Sequence, residues 1–176
     1  VKTISAQEHL QYINQQESVS FLQTPAWGKA KSPGWSYESL GWFEGERIVG
    51  AGLVLFRKVP KLNRFLAYLP EGPDLEWNNP TQVEAGLTAL VDFARSRNVF
   101  QIKIGPHAWA KQWSSETLKD AIANNTARTI GQLAADVASE SGVALIKQLR
   151  SLGWKQPESQ EAGFGDYQPR YVFQVD

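Results

Sequence analysis

Between Phe65 and Ile104 the spacing of apolar residues changes twice, and that change constrains the fold more than any other feature of the chain. Phe65 to Leu69 is a short apolar run. Asn79-Pro80 then opens a segment in which Val83, Leu87, Leu90, Val91 and Ala94 share one helical face over several turns. Asparagine at the cap and proline in the first turn stand where a helix start places them. Val99 to Ile104 follows as a strand expected to be buried, stopped by Gly105-Pro106. A strand, a long helix and a second strand imply a crossover, and a crossover makes the two strands parallel.

Upstream, the period from Trp35 onward is two. Tyr37, Ser39 and Gly41 alternate with Ser36, Glu38, Leu40 and Trp42. Glu44-Gly45-Glu46 is a turn, and Arg47 to Arg57 is a long strand rich in Val, Ile and Leu, so this region is a β-hairpin. A basic loop, Lys58 to Arg64, joins it to the strand at Phe65. Two short helices precede the hairpin. Ser5 caps one over Ala6 to Gln16, with Leu10 and Ile13 on one face, and Thr24-Pro25 opens another that ends at Lys31. Beyond the crossover, Ser114 or Ser115 caps a helix to about Ala123, and Asn125 to Val137 is Ala-rich and only weakly amphipathic. A helix over Gly142 to Leu152 places Val143, Ile146 and Leu149 on one face and stops at Gly153. Tyr171 to Val175 closes the pattern as a strand. The expected fold is a mixed α/β domain over residues 1–176, an antiparallel hairpin followed by strand–helix–strand, the layout of GCN5-related acyltransferases.

Composition removes whole classes of chemistry. The chain has no cysteine, so thiolate nucleophiles, disulfides and Cys-based zinc sites are excluded. Its only histidines, His9 and His107, are far apart, and no metal is expected. Eighteen Lys plus Arg balance eighteen Asp plus Glu, which argues against a chain devoted to coating nucleic acid. No basic stripe stands out that would mark a tRNA site. No window is apolar for long enough to span a membrane, and a cytoplasmic location is expected.

Three segments carry polar groups in useful company. Lys29 and Lys31 sit at a helix end beside Trp27 and Trp35, either as phosphate contacts backed by aromatic faces or as a solvated pair over core tryptophans. Tyr68-Leu69-Pro70-Glu71-Gly72-Pro73 is either a tight ligand-approaching loop or a rigid turn. Lys103 and His107 flank Gly105-Pro106 at a strand's carboxyl end, where open α/β sheets bind ligands, as an anion contact and a proton carrier. Trp77, Trp109 and Trp113 bracket these loops, lining a groove or packing with indole N–H groups on carbonyls. Arg170 precedes the last strand and suits a phosphate or a carboxylate. Walker, dinucleotide GxGxxG and GxSxG motifs are absent, as is the Gln/Arg-x-x-Gly-x-Gly/Ala loop that holds coenzyme A in typical GCN5-related enzymes.

Taken in order, Phe21-Leu22-Gln23-Thr24 with Trp27 and Lys31, Tyr68-x-x-x-Gly72-Pro73, Leu152-Gly153-Trp154, Gln168-Pro169-Arg170 and a strand ending at Asp176 resemble the FemABX aminoacyltransferases. The resemblance runs from about Ser20 to Asp176. It implies a non-ribosomal enzyme that moves an amino acid from aminoacyl-tRNA, a co-substrate with no further cofactor, to the stem peptide of a peptidoglycan precursor. That acceptor is UDP-MurNAc-pentapeptide or its lipid-linked form, the latter bringing peripheral contact with the inner membrane face. The family has two GCN5-related-type halves around one groove. This chain resembles the first, so alone it is expected to bind weakly and catalyse nothing. The resemblance implies that Lys31 contacts the acceptor's phosphate region, with Trp35 close to a family tryptophan; Tyr68, Lys103 and Arg170, read from their own positions, complete the expected substrate-binding residues. Trp35 stands one residue further from the lysine than the family tryptophan does. Phe100 replaces a tyrosine of some members, Gly105 an aspartate considered as proton acceptor, and Glu71 a basic residue, so no catalytic residue is assigned. Two other readings remain on the sequence alone: a coenzyme A-dependent N-acyltransferase, and a non-catalytic module binding a glycan or a protein.

Overall fold

The structure is a computed structural model that describes residues 1–156 and 171–172. These group into two compact units, Val1–His107 and Ala108–Gln156.

The first unit is built on a five-stranded sheet in which the strands lie in chain order. They are β1 (Lys2–Ile4), β2 (Ser36–Glu44), β3 (Arg47–Lys58), β4 (Phe65–Leu69) and β5 (Val99–Ile104). Neighbours are antiparallel except β4 and β5, which are parallel and joined by helix α3 (Pro80–Ser96). The crossover read from the sequence is thus present, and Asn79 caps α3 by accepting from the Gln82 amide. The hairpin turn places Gly45 at φ 61°, a left-handed position that suits glycine. Strand β1, three residues with one buried side chain, carries too little pattern to be read in advance.

β3 is the central strand, and its run from Gly50 to Phe56 is buried without a break because both sheet faces are covered. α3 lies on one face through Val83, Leu87, Leu90 and Ala94, and Trp42 ties sheet to helix by donating its indole N–H to the Gly86 carbonyl at 2.8 Å. On β2 and β3 also rest α1 (Ala6–Ile13) and α2 (Pro25–Lys31). Ser5 and Glu8 close a capping box at the start of α1, and Thr24 caps α2. The inward residue of α1 differs from expectation. His9 is fully buried and its Nδ1 lies 2.8 Å from Ser39 Oγ, whereas Leu10 is turned outward. A polar partner beneath the helix decides its rotation where apolar spacing alone favours Leu10. β5 is likewise half-buried rather than buried, with Phe100 and Gln101 exposed, because it is the last strand of the sheet among the described residues.

The second unit contains β6 (Lys111–Gln112), α4 (Ser115–Ala123), β7 (Val137–Ala138) and α5 (Glu140–Ser151). β6 and β7 pair antiparallel. Ser114 caps α4, and the Asp136 carboxylate accepts from both the Ser114 amide at 2.6 Å and the Thr117 hydroxyl at 2.8 Å. Those hydrogen bonds hold the Asp136 pKa below the ordinary carboxylate range. The Ala-rich stretch after α4 folds as loop with one 3₁₀ turn, Ile130–Gln132. α5 buries Gly142 and Leu145 and leaves Val143 exposed, a rotation from the expected face. The cause is Gly142, which packs so tightly on the Trp109 carbonyl that a Cβ there would overlap it. Gly153 stops α5 at φ 86°. Most of the expected strand from Tyr171 to Val175, and the whole Gln168-Pro169-Arg170 motif, lie outside the described residues.

Candidate functional site

The first unit gathers three of the sequence motifs at the carboxyl ends of β4 and β5. β3 and β4 are paired from Lys58↔Phe65 to Leu55↔Tyr68. Beyond that point the chain reaches Pro70, whose carbonyl points toward β3. Gln23 fills the gap. Its side chain is 1% exposed; Nε2 donates to the Pro70 carbonyl at 2.5 Å and Oε1 accepts from the Leu53 amide at 2.8 Å. A side-chain amide thereby stands in for a backbone peptide between two strands that have separated. Gly72 lies against this amide so closely that a Cβ would overlap it. Ser20 donates its hydroxyl to Glu71, which sits in the left-handed region at φ 50°. The Gly72–Pro73 peptide is cis, and the Gly105 amide donates to the Gly72 carbonyl at 3.1 Å.

The sequence motifs around Gln23, Gly72-Pro73 and Gly105 are therefore one hydrogen-bonded cluster. Gly105 offers neither a carboxylate nor a spare N–H, since its amide is committed to Gly72. Beside the cluster, Asp74 bridges back to Ala51 through two backbone hydrogen bonds, at 3.1 Å and 2.8 Å. Burial raises the Asp74 pKa, an effect that Tyr12 and His107 partly oppose. Burial, together with the Asp74 charge, also pushes Tyr12 well above the ordinary phenol range.

The expected binding residues form a second, neighbouring group. Register aligns Tyr37, Leu55, Tyr68 and Lys103 in one row from β2 to β5. Trp35 lies at the head of β2 with its ring 6.4 Å from that of Tyr68. Arg57, which sequence reasoning did not single out, stacks its guanidinium 5.6 Å over Trp35. The Trp35 amide donates to the Lys31 carbonyl at 3.1 Å, so α2 delivers Lys31 to the same corner. Its ammonium lies 4.6 Å over the Trp27 ring, at the exposed end of the helix. Next to Trp35 runs a shallow groove of about 510 Å³ lined by Ser32, Gly34, Trp35, Ser36, Tyr37, Phe56 and Lys58. The α2 helix reaches Tyr37 because Gly28 has no side chain; a Cβ there would overlap the ring.

The structure thus brings Lys31, Trp35, Tyr68 and Lys103 into one corner of the first unit, while Arg170 lies outside the described residues. Of the tryptophans, Trp77 donates to the Pro73 carbonyl at 3.2 Å and Trp113 to the Leu133 carbonyl at 3.4 Å, each packed as a half-buried ring. Trp109 is exposed on the second unit.

A sheet that opens with an antiparallel hairpin, continues through a helical crossover and gathers its motif loops at the carboxyl ends of the parallel pair is the GCN5-related acyltransferase layout. Within that class the assignment is narrower. Residues 4–176 match the model of the FemAB family, and the chain belongs to that family. It is 28% identical over 169 residues to a lipid II:glycine glycyltransferase of Staphylococcus epidermidis (strain ATCC 35984), covering 95% of this chain and 34% of that protein. The corresponding protein of Staphylococcus saprophyticus is 27% identical with the same coverage. Among solved structures, FemX aligns at a TM-score of 0.54 with 25% identity, over 70% of this chain and 31% of the other. The chain spans about a third of the length of the curated relatives it matches.

Proposed function

We propose that this chain forms the acceptor side of an aminoacyltransferase that moves an amino acid from aminoacyl-tRNA to the stem peptide of a peptidoglycan precursor. The observation that carries the reading is the convergence of Gln23, Gly72-Pro73 and Gly105 into one hydrogen-bonded cluster in a chain of the FemAB family. The activity for which the relatives are named, glycyl transfer involving lipid II, supports the same reaction class.

In this reading Lys31 pairs with the phosphates of the acceptor, Trp35 walls the groove with the Tyr68 ring beside it, and Lys103 adds a cation at the carboxyl end of β5. Arg170 would contribute a further anion contact. The reaction is aminolysis. The neutral amine of the stem peptide forms a bond to the ester carbonyl carbon, the ester C–O bond breaks, and the ribose oxygen leaves with the proton that the amine gives up. An aminoacyl ester is already activated, so holding amine and carbonyl together supplies much of the acceleration. Gly105 takes no part in proton transfer, and no metal or coenzyme is invoked. The reaction belongs on the cytoplasmic side of the membrane, where both substrates are made.

The test is a calorimetric titration with UDP-MurNAc-pentapeptide. Wild type binds, and Lys31→Ala weakens binding about tenfold, as loss of one charged phosphate contact would. Equal binding by the two proteins would remove Lys31 from the site. Binding to a bare glycan that is unaffected by Lys31→Ala would favour a binding module instead.

A further inference from the structure

We infer that the β3–β4 loop, residues 58–64, is a docking surface for an anionic lipid bilayer. The inference stands on charge and exposure and is independent of the proposed transfer reaction. Two segments of this neutral chain, residues 18–37 and 47–70, contain no Asp or Glu and hold seven of its eighteen Lys and Arg. The sheet sets them side by side, Ser36 paired with Phe56. The result is a corner carrying Lys29, Lys31, Arg57, Lys58, Lys61 and Arg64. Glu38 on β2 and Asp92 on α3 are already paired, with Arg97 at 2.9 Å and Arg95 at 3.0 Å.

The loop itself is ordered by its own backbone. The Val59 amide donates to the Arg64 carbonyl at 2.9 Å and the Leu62 amide to the Val59 carbonyl at 3.2 Å, with Lys61 left-handed at φ 63°. This turn holds Leu62 outward, 56% exposed, between Lys61 and Arg64, with Pro60 also exposed. A single exposed leucine is ordinary. An exposed leucine at the tip of a cationic turn is the arrangement that binds a bilayer: the cations meet lipid phosphates while the apolar tip enters the acyl boundary. RNA phosphates would satisfy the cations but give Leu62 nothing, so a lipid surface is favoured. The loop lies at the amino end of β4, opposite the Gln23–Gly72–Gly105 cluster, so its residues can be changed without disturbing that cluster.

The experiment is co-sedimentation with vesicles of phosphatidylcholine alone and of seven parts phosphatidylcholine to three parts phosphatidylglycerol, at low salt of about 50 mM. Wild type partitions onto the anionic vesicles and not onto the neutral ones, and added salt releases it. The triple variant Lys58→Ala/Lys61→Ala/Arg64→Ala loses about a hundredfold in partitioning. Leu62→Ser, which keeps every charge, loses about fivefold. Unchanged thermal unfolding midpoints show both variants folded. No preference for anionic vesicles overturns the inference, as does a triple variant that partitions like wild type. A Leu62→Ser variant equal to wild type also overturns it and points to a soluble polyanion such as tRNA.

Discussion

Gln23 shows how much one side chain contributes when it replaces backbone. It satisfies the Leu53 amide and the Pro70 carbonyl, both buried, and neither has another route to a partner once the strands separate. Gln23→Leu leaves both unpaired and lowers stability by about 2–4 kcal/mol in urea unfolding. Gln23→Glu behaves differently. A protonated carboxyl both donates and accepts, so the variant gains stability relative to wild type as pH falls, its folded-state pKa being raised. A slope of the opposite sign, common to wild type and variant, comes from His9, whose pKa burial lowers to about 4. Above pH 6.5 both folded and unfolded states hold His9 neutral. Between about 6.5 and 4 only the unfolded state gains the proton, so stability declines as pH drops through that window, by about 3 kcal/mol in all. Chemical unfolding at a series of pH values checks this, and His9→Gln removes that part of the slope.

At the scale of elements, caps carry most of the local information. Ser5, Thr24, Asn79 and Ser114 all stand where sequence rules put them, and each accepts from the first turn of its helix. Asn79→Ala costs about 1 kcal/mol in thermal unfolding, because α3 covers the sheet and the Asn79 side chain caps its start by accepting from the Gln82 amide. Gly28→Ala costs more, about 1–3 kcal/mol, since the new methyl meets the Tyr37 ring and displaces α2 from β2. The same substitution at Gly34, where a Cβ meets nothing, leaves stability unchanged to within about 0.5 kcal/mol. The order of strands, the hairpin turn and the crossover were legible because they follow from local period and turn chemistry. The facing of α1 and α5 was not, because Ser39 beneath His9 and the Trp109 carbonyl beneath Gly142 are tertiary partners that outweigh helical spacing.

For the whole molecule, the motifs located the cluster while its bonding stayed hidden. Gln23 meets residues thirty and forty-seven positions away, a pairing no local rule supplies. Arg57 escaped notice for a similar reason, since its partner Trp35 lies across a hairpin. The same juxtaposition yields a prediction for the acceptor corner. Removing the Arg57 guanidinium frees the Trp35 ring on one side, so Arg57→Ala weakens acceptor binding in calorimetry by severalfold while leaving unfolding within about 1 kcal/mol of wild type. A variant that binds as tightly as wild type would show that the stacked arginine only packs.

The side-chain bridge between β3 and β4 also gives the molecule a built-in reporter. An amide locked in a regular ladder exchanges its proton for deuterium when the ladder opens. The Leu53 amide is held instead by Gln23, which sits at the junction of three motif segments. Its exchange rate therefore times the loosening of that junction, separately from the melting of the sheet around it. Acceptor analogues that tighten the corner would slow this one proton while its neighbours on β3 keep their pace.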